Sequence, residues 1–184
     1  MIELHIKPVR LFRNSTNEFF NIKETTLKLE HSLISLKRWE QKWHKPFLTD
    51  EQKSMEELID YIRCMTINTV DDSVYLAIEA RPSYMEEVIT YIQNPMTATW
   101  FNDDKLIGAQ KNSTEVVTNE IIYYWMVSFN IPPEYQKWHL NALLTLIKVI
   151  SVKNQKPKKM TPAEASAQRR ALNAKRRAEL NSKG

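Results

Sequence analysis

The sequence predicts an α+β fold in which N-terminal β-strands pack on a mainly helical single domain, followed by a basic C-terminal helical arm. The first thirty residues alternate apolar and polar side chains, several later segments carry apolar residues at helical spacing, and the composition becomes strongly basic from Lys153 onward. At 184 residues the chain can bury one good core. We therefore expect an α+β body over residues 1–152, a charged linker over 153–161 and a basic helix over 162–184.

The strand prediction depends on residues 2–12 and 19–30, which both alternate apolar and polar side chains. The stretch RNSTN between them is rich in turn-forming residues. The pattern indicates either a β-hairpin or two adjoining strands. Pro8 lacks a backbone N–H and therefore favours an edge position.

Two amphipathic helices follow. The stretch HSLISLKRWEQKWHK places Leu33, Leu36, Trp39 and Trp43 at helical spacing, and Pro46 is expected to end this helix. Thr49 with Gln52 three residues later has the spacing of a capping box, so a second helix is expected to begin there. Its apolar stripe consists of Met55, Leu58, Ile59, Ile62 and Met65.

The middle of the chain is less regular. Residues 70–80 fit a short strand or a helical turn, and the pattern leaves both open. After Pro82, the pair Ser83 and Glu86 repeats the capping-box spacing at the start of a short helix that ends near Asn94. The loop that follows combines turn residues with aromatic ones, which favours a short hairpin with its tip near residues 102–104.

Residues 115–129 and 134–152 are predicted to form two helices separated by NIPP, with Pro133 at the opening position of the second helix. The second helix is apolar around most of its circumference, so we expect it to be the central core element, enclosed by the others. The aromatic run Tyr123, Tyr124 and Trp125 is expected to pack against it.

The C-terminal arm combines a well-specified start with a weak apolar face. Thr161, Pro162 and Glu164 supply an N-cap residue, a proline at the first helical position and a glutamate at the third. The helix is otherwise rich in alanine, and only Leu172 and Leu180 add larger apolar side chains. Because so little apolar surface can be buried, we expect the helix to fray in isolation and to become ordered on binding.

Charge is distributed unevenly between the body and the arm. Residues 153–184 contain ten basic and two acidic side chains, a net charge of +8. Because the whole chain carries +4, the first 152 residues carry −4. A basic segment beside an acidic body suits an acidic partner, whether protein, nucleic acid or lipid surface. The alternative is a solvated tail that only aids solubility.

The sequence offers no recognisable catalytic motif. Gly108 and Gly184 are its only glycines, which excludes the glycine-rich phosphate-binding loops and the nucleophile elbow. Adjacent carboxylates such as Asp71 and Asp72 point in different directions on a regular element and do not converge on one substrate. We therefore expect no enzymatic activity and no cofactor.

Metal binding is also not expected. His44 and His139 each end a Lys-Trp-His tripeptide, but a zinc site needs three or four convergent ligands. We expect Trp43 and Trp138 to pack and their histidines to lie at the surface or accept one hydrogen bond. The single cysteine, Cys64, is interpreted as a small buried hydrophobe without a disulfide partner.

No apolar run approaches the roughly 20 residues that cross a bilayer, and the N-terminus lacks the apolar centre of a signal peptide. We expect a cytosolic protein that does not insert into membranes. The arginines of the arm are compatible with sequence-neutral, salt-dependent binding of nucleic acid. However, the body is acidic and the sequence lacks an aromatic-basic RNA-binding motif, so we expect the arm to bind a protein rather than a nucleic acid.

Several motifs resemble a family of tailed-bacteriophage proteins encoded in the tail-gene cluster. The resemblance runs from about Thr25 to Gly184 and rests on TTLKLEHSLISLKRWEQKWHKPFL, ELIDYIRCMTI, NPMTATWF, EIIYYWMVSFNIPPEYQKWHLNALLTLIKV and KKMTPAEASAQRRALNAKRRAELNSKG. It implies a tail assembly chaperone, or a phage structural protein without an assigned function. Its partners would then be the tape-measure or tail-tube protein, bound in the host cytoplasm while their apolar helices are exposed.

A permanent virion subunit in the tail, neck or baseplate is the alternative, anchored to neighbouring subunits by the C-terminal arm. The sequence leaves open whether the protein is a homo-oligomer. In either role the arm provides most of the expected contact residues. The predicted partner-binding residues are Arg169, Arg170, Lys175, Arg176 and Arg177 of the arm, with Trp39 and Trp43 of the body. For the two tryptophans a core position remains the other possibility.

Overall fold

The computed structural model of the chain describes residues 1–13, 17–99, 101, 116–154 and 162–180. The chain divides into two compact units, Met1–Ile150 and Ser151–Gly184. The predicted linker begins inside a helix that continues to Asn154, and its residues 155–161 lie outside the described residues. The predicted hairpin tip at 102–104 and the last residues of the arm, 181–184, also lie outside them.

The N-terminal residues form four strands: β1 (Ile2–Ile6), β2 (Val9–Arg13), β3 (Glu18–Ile22) and β4 (Thr25–Leu29). Strand β1 pairs antiparallel with β4, and β2 pairs antiparallel with β3, so the chain folds back as an interrupted hairpin. The interruption falls at Pro8, which has no N–H to donate to a ladder. Of the two arrangements that the sequence left open, the hairpin is the one formed, and Pro8 lies between β1 and β2 rather than in an edge strand.

Helix α1 (Leu33–Trp43) begins at Ser32, whose hydroxyl accepts a hydrogen bond from the Ser35 N–H. It ends at His44, which adopts a left-handed conformation with φ 52°. The chain therefore leaves the helix two residues before Pro46, the residue expected to end it.

Helix α2 (Met55–Met65) begins at Ser54, so the predicted start at Thr49 is wrong. Ser54 and Glu57 form a capping box in which each side chain accepts a hydrogen bond from the other residue's backbone N–H. Thr49 instead accepts a hydrogen bond from the ammonium group of Lys53. Two capping-box spacings lie five residues apart in the sequence, and only the second is used.

The sequence pattern of residues 70–80 fitted either a strand or a helical turn. The structure places helix α3 (Ser73–Ala80) there. Helix α4 (Pro82–Gln93) follows after a single residue. The predicted capping box at Ser83 is wrong, because Pro82 already occupies the first helical position and places Ser83 inside the helix.

The remaining helices are α5 (Asn119–Ser128), a short 3₁₀ helix (Pro133–Lys137), α6 (Leu140–Asn154) and α7 (Pro162–Glu179). Pro133 therefore opens a 3₁₀ turn, and the α-helix predicted over residues 134–152 begins six residues later than expected. None of these helices, nor any other in the described part of the chain, is both long and apolar enough to cross a membrane.

The core of the first unit consists of two clusters. The first joins the strands to α1–α4 and contains Leu4, Ile6, Ile22, Leu27, Leu29, Trp39, Ile59, Tyr61, Ile62, Met65, Val74, Tyr75, Ala77, Ile78, Tyr84, Met85, Val88 and Tyr91. The second joins α1 to α5 and α6 and contains Leu33, Leu36, Ile122, Met126, Ile131, Leu140, Leu143 and Ile147. Strands packed on a mainly helical domain confirm the predicted α+β class.

Helix α6 is not the enclosed central element that its composition suggested. Only Leu140, Leu143 and Ile147 are buried, and most of its other side chains are half-buried. Tyr124, expected to pack on this helix, is 67% exposed. Helix α1 has the central position, since it is the element that supplies buried side chains to both clusters.

The buried carboxylate of Glu40, on α1, connects the two clusters. Its Oε1 accepts a hydrogen bond from the Phe47 N–H at 2.8 Å, and its Oε2 accepts hydrogen bonds from the Asn119 N–H at 2.8 Å and from Asn119 Nδ2 at 2.7 Å. Because Asn119 is the first residue of α5, the carboxylate lies at the end of that helix where unpaired N–H groups favour an anion.

We expect Ser54→Ala to lower the free energy of unfolding by about 1 kcal/mol, because α2 loses its N-cap hydrogen bond. Ser83→Ala is the matched control, since Ser83 is exposed inside α4 and caps nothing. Urea unfolding monitored by circular dichroism measures both changes. Equal stability of the two variants would contradict the capping assignment.

Candidate functional site

The predicted contact residues of the arm lie on one continuous helix, α7. Arg169, Arg170, Arg176 and Arg177 are all exposed. None of these four guanidinium groups has a hydrogen bond or ion pair with any part of the chain that the structure describes. Lys175, the fifth predicted contact, lies 3.9 Å from the Glu179 carboxylate one turn later, a weak exposed pair.

Helical spacing arranges these arginines around an apolar side chain. Arg169, Leu172 and Arg176 follow one another at intervals of three and four residues, so they share a face of α7. The two arginine pairs are one heptad apart, which corresponds to roughly 10 Å along the helix axis. Leu172 is 48% exposed. The face therefore presents cation, apolar side chain and cation in sequence.

Trp39 is not available to a partner, and its predicted role as a contact residue is wrong. Its side chain is 1% exposed, and its indole N–H donates a hydrogen bond to the Glu57 carbonyl at 2.9 Å. The ring packs edge-on against Phe47, with 5.0 Å between ring centroids. Trp39 is a core residue that fixes α1 against α2.

Trp43 is half-buried and takes part in a polar contact between α1 and α2. Its indole N–H donates a hydrogen bond to Asp60 Oδ2 at 2.9 Å, and the ammonium group of Lys42 pairs with the other oxygen of the same carboxylate. Lys45, just beyond α1, pairs with Glu57 at 2.9 Å. Trp43 thus keeps part of its surface exposed beside paired charges.

A groove runs along this face of the body. It has a volume of about 440 Å³ and is lined by Lys42, Trp43, Glu56, Ile59, Asp60, Arg63 and Glu79. Helical spacing brings Glu56, Asp60 and Arg63 to one face of α2, and Glu79 comes from α3. The carboxylates of Glu56 and Glu79 have no hydrogen-bond or ion-pair partner among the described residues. Sequence reasoning selected Trp43 but missed these carboxylates, since the contact of α1, α2 and α3 is tertiary.

A cluster of buried histidine and tyrosine side chains was also missed. His31 is 2% exposed, and its Nδ1 lies 2.6 Å from the Tyr61 hydroxyl oxygen. The rings of His31 and His139 are 5.0 Å apart, and His139 Nε2 is hydrogen-bonded to the Tyr91 carbonyl oxygen at 3.1 Å. Ordinary sequence spacing gives no signal for this cluster, because its members come from four separate elements.

Burial controls the ionisation of this cluster. Burial, reinforced by the charge of neighbouring His139, lowers the pKa of His31 to about 3. Burial also lowers the pKa of His139, against the opposing effect of its hydrogen bond to Tyr91. Both imidazoles are therefore neutral near pH 7, and the cluster contributes to packing between the two core clusters.

The remaining chemical candidates give no site. Cys64 is half-buried, in place of the buried position expected, and burial raises the pKa of its thiol to about 11, which leaves it unreactive at neutral pH. Among the described residues, no group of three or more histidine, cysteine and acidic side chains could hold a metal ion. The exposed rings of Phe12 and Phe19 pack on each other across β2 and β3, 4.8 Å apart.

Comparison with protein-family models, with curated proteins and with solved structures gives no match to this chain. The resemblance to phage tail proteins therefore stays a prediction.

We expect Trp39→Ala to lower the free energy of unfolding by about 3–5 kcal/mol, because it removes a buried ring and leaves a cavity. Trp138→Ala is the matched control, since Trp138 is 45% exposed and stands in the other Lys-Trp-His tripeptide. Chemical denaturation of both variants provides the comparison. A similar small loss in both would exclude a core role for Trp39.

We expect stability to fall as the pH decreases from 6.5 toward 4.5. Unfolded His31 takes up a proton near pH 6.5, whereas folded His31 excludes it until about pH 3, so acid favours the unfolded state. His31→Gln should be less stable at pH 7.5 but should flatten this dependence by up to about 1.4 kcal/mol per pH unit.

Denaturation midpoints measured between pH 7.5 and 4.5 test this expectation. The control is His5→Gln, because His5 lies on an exposed strand position. Below pH 4.5 the carboxyl of Glu57, whose pKa is lowered by its hydrogen bond to Lys45, adds its own acid sensitivity. An unchanged slope in His31→Gln between pH 6.5 and 4.5 would show that His31 is not the responsible group.

Proposed function

We propose that this chain is a non-enzymatic protein of bacteriophage tail assembly. In this role it acts like a tail assembly chaperone in the host cytoplasm, and its C-terminal helix binds tape-measure or tail-tube protein. The single observation that carries the proposal is the set of four exposed arginines on α7 without a partner in the described part of the chain. Guanidinium groups left unpaired on a regular helix are suited to carboxylates of another molecule.

The physical character of the arm suits temporary binding. Apart from Leu172 and Leu180, the helix has little apolar surface to bury against a client. Its affinity must therefore come largely from charge pairs, which speed encounter but are weakened by salt and by competing charges. A client held in this way can be released when its subunits polymerise.

The identity of the client rests on the resemblance to phage tail-cluster proteins over residues 25–184. Tape-measure and tail-tube subunits expose apolar helices before they polymerise, and a folded binding partner would keep them from aggregating. The body supplies that folded partner, and the arm supplies the contact.

A permanent virion subunit is the second candidate. It is favoured by the presence of both a cationic helix and the groove with unpaired carboxylates on one chain, since complementary surfaces allow identical subunits to join. The two candidates differ in whether the protein stays in the finished particle.

We expect the quadruple change of Arg169, Arg170, Arg176 and Arg177 to Gln to weaken binding of purified tail-tube or tape-measure protein by roughly tenfold or more. Thermal unfolding of the body should hardly change, because the four arginines belong to the second compact unit and not to the core of the first. Calorimetry at about 50 and 500 mM salt measures the affinity. The matched control replaces four exposed body lysines with Gln: Lys7, Lys23, Lys37 and Lys137.

Equal binding by the quadruple variant and the control would contradict a role for the arm. A loss of body stability comparable to the loss of binding would also contradict it. Quantitative mass spectrometry of mature particles and infected-cell lysate separates the two candidates. Absence from the particle supports a chaperone, and a fixed whole-number ratio to a ring protein supports a structural subunit.

A further inference from the structure

The acidic charge of the body is concentrated in one segment of its sequence. Residues 54–94, which contain α2, α3 and α4, carry eight carboxylates and two arginines, a net charge of −6. The rest of residues 1–152 is therefore net positive, at +2. Six of the eight carboxylates are exposed: Glu56, Asp71, Asp72, Glu79, Glu86 and Glu87. This acidic segment supplies five of the seven residues that line the groove beside Trp43.

The charges lining the groove are not equivalent. Lys42 is neutralised by Asp60, and Arg63 pairs with Asp72 at 3.2 Å outside the groove lining. The two carboxylates that remain unpaired among the described residues are Glu56 on α2 and Glu79 on α3. They accompany an apolar surface formed mainly by the half-buried ring of Trp43, since Ile59 is only 8% exposed. The groove thus combines two unpaired anions with an apolar surface.

Helix α7 has the complementary pattern. Its face of Arg169, Leu172 and Arg176 places one apolar side chain between two unpaired cations. A leucine that is half-exposed on a helix gains free energy when it contacts an apolar surface, and flanking guanidinium groups add pairs with carboxylates. The cationic helix and the groove belong to the same chain, so every copy carries both of the complementary surfaces.

We propose that the groove binds the C-terminal helix of a second copy of this chain. Leu172 of the incoming helix contacts the exposed part of the Trp43 ring, while Arg169 and Arg176 pair with Glu56 and Glu79. The contact is heterologous, because a helix of one copy meets a different surface of the next, and such contacts build rings or open chains of subunits. This inference rests on the proposed role of the arm as the binding element, and it names one partner of that element.

Sedimentation velocity of the full chain tests the proposal. We expect the wild-type protein to associate as its concentration rises, and we expect about 500 mM salt to suppress this association relative to about 50 mM. Glu56→Lys with Glu79→Lys should weaken it by roughly tenfold or more. The matched control, Glu24→Lys with Glu134→Lys, makes the same charge change at exposed positions outside the acidic segment and should associate like the wild type.

A charge exchange between copies tests the direct pairing. In the arm variant, Arg169 and Arg176 are replaced with Glu, and the groove variant is Glu56→Lys with Glu79→Lys. Each alone should remain monomeric, because its arm and groove then carry like charges. Their mixture should associate, because opposite charges then meet across the two copies. Thermal unfolding curves verify that every variant is folded.

Three outcomes overturn the proposal. These are a wild-type protein that is monomeric at every concentration, equal association of the groove variant and its control, and a charge-exchanged mixture that stays monomeric. The proposed function is tested separately by binding of purified tail-tube protein to the same variants. Loss of tail-tube binding in the arm variant but not in the groove variant supports that function whatever the self-association result.

Discussion

The contact between the two clusters of the core depends on the buried carboxylate of Glu40. Removing a carboxylate from water is costly unless hydrogen bonds replace its hydration, and Glu40 receives three N–H donors at 2.7–2.8 Å. Two of these donors belong to Asn119 at the start of α5, and the third is the Phe47 N–H in the loop after α1. Loss of the carboxylate would leave these buried N–H groups without an acceptor, so the position of α5 on α1 is tied to one side chain.

Helix α1 also contacts the other elements of the first unit through side chains on its two buried faces. Trp39 faces the cluster built on the strands and α2–α4, while Leu33 and Leu36 face the cluster built on α5 and α6. At the beginning of α1, the His31 carbonyl oxygen accepts a hydrogen bond from the Leu140 N–H at 2.8 Å, which joins α6 to the same helix. Two small clusters that share one rigid helix behave as a single core, because displacement of α1 disturbs both.

The sequence predicted those features that depend on local spacing. The hairpin, the apolar stripe of α1, the stripe of α2 apart from Met55, which is 48% exposed, and the exposed arginine pairs of α7 all follow from periods of two or 3.6 residues. It misplaced the start of α2, because the spacing at Thr49 and at Ser54 is equally good and only tertiary contacts choose between them. Likewise, the exposure of Tyr124 depends on the position of α6, which apolar composition alone does not determine.

The candidate site shows the same division. The arm was found from its charge, but the groove is formed by residues from α1, α2 and α3 that are up to 37 positions apart in the chain. Trp39 and Trp43 lie one turn apart on the same side of α1, and their rings stack with 6.0 Å between centroids. Trp39 is covered by the core, whereas Trp43, the last residue of α1, lies at the edge of the core and lines the groove. The proposed contact between the cationic helix and the groove would be held largely by charge pairs, so salt or a competing client would reverse it. Self-association through this contact would therefore occupy the arginines until a client with a better match displaces the second copy, whereas in a permanent particle the same two surfaces would join neighbouring subunits.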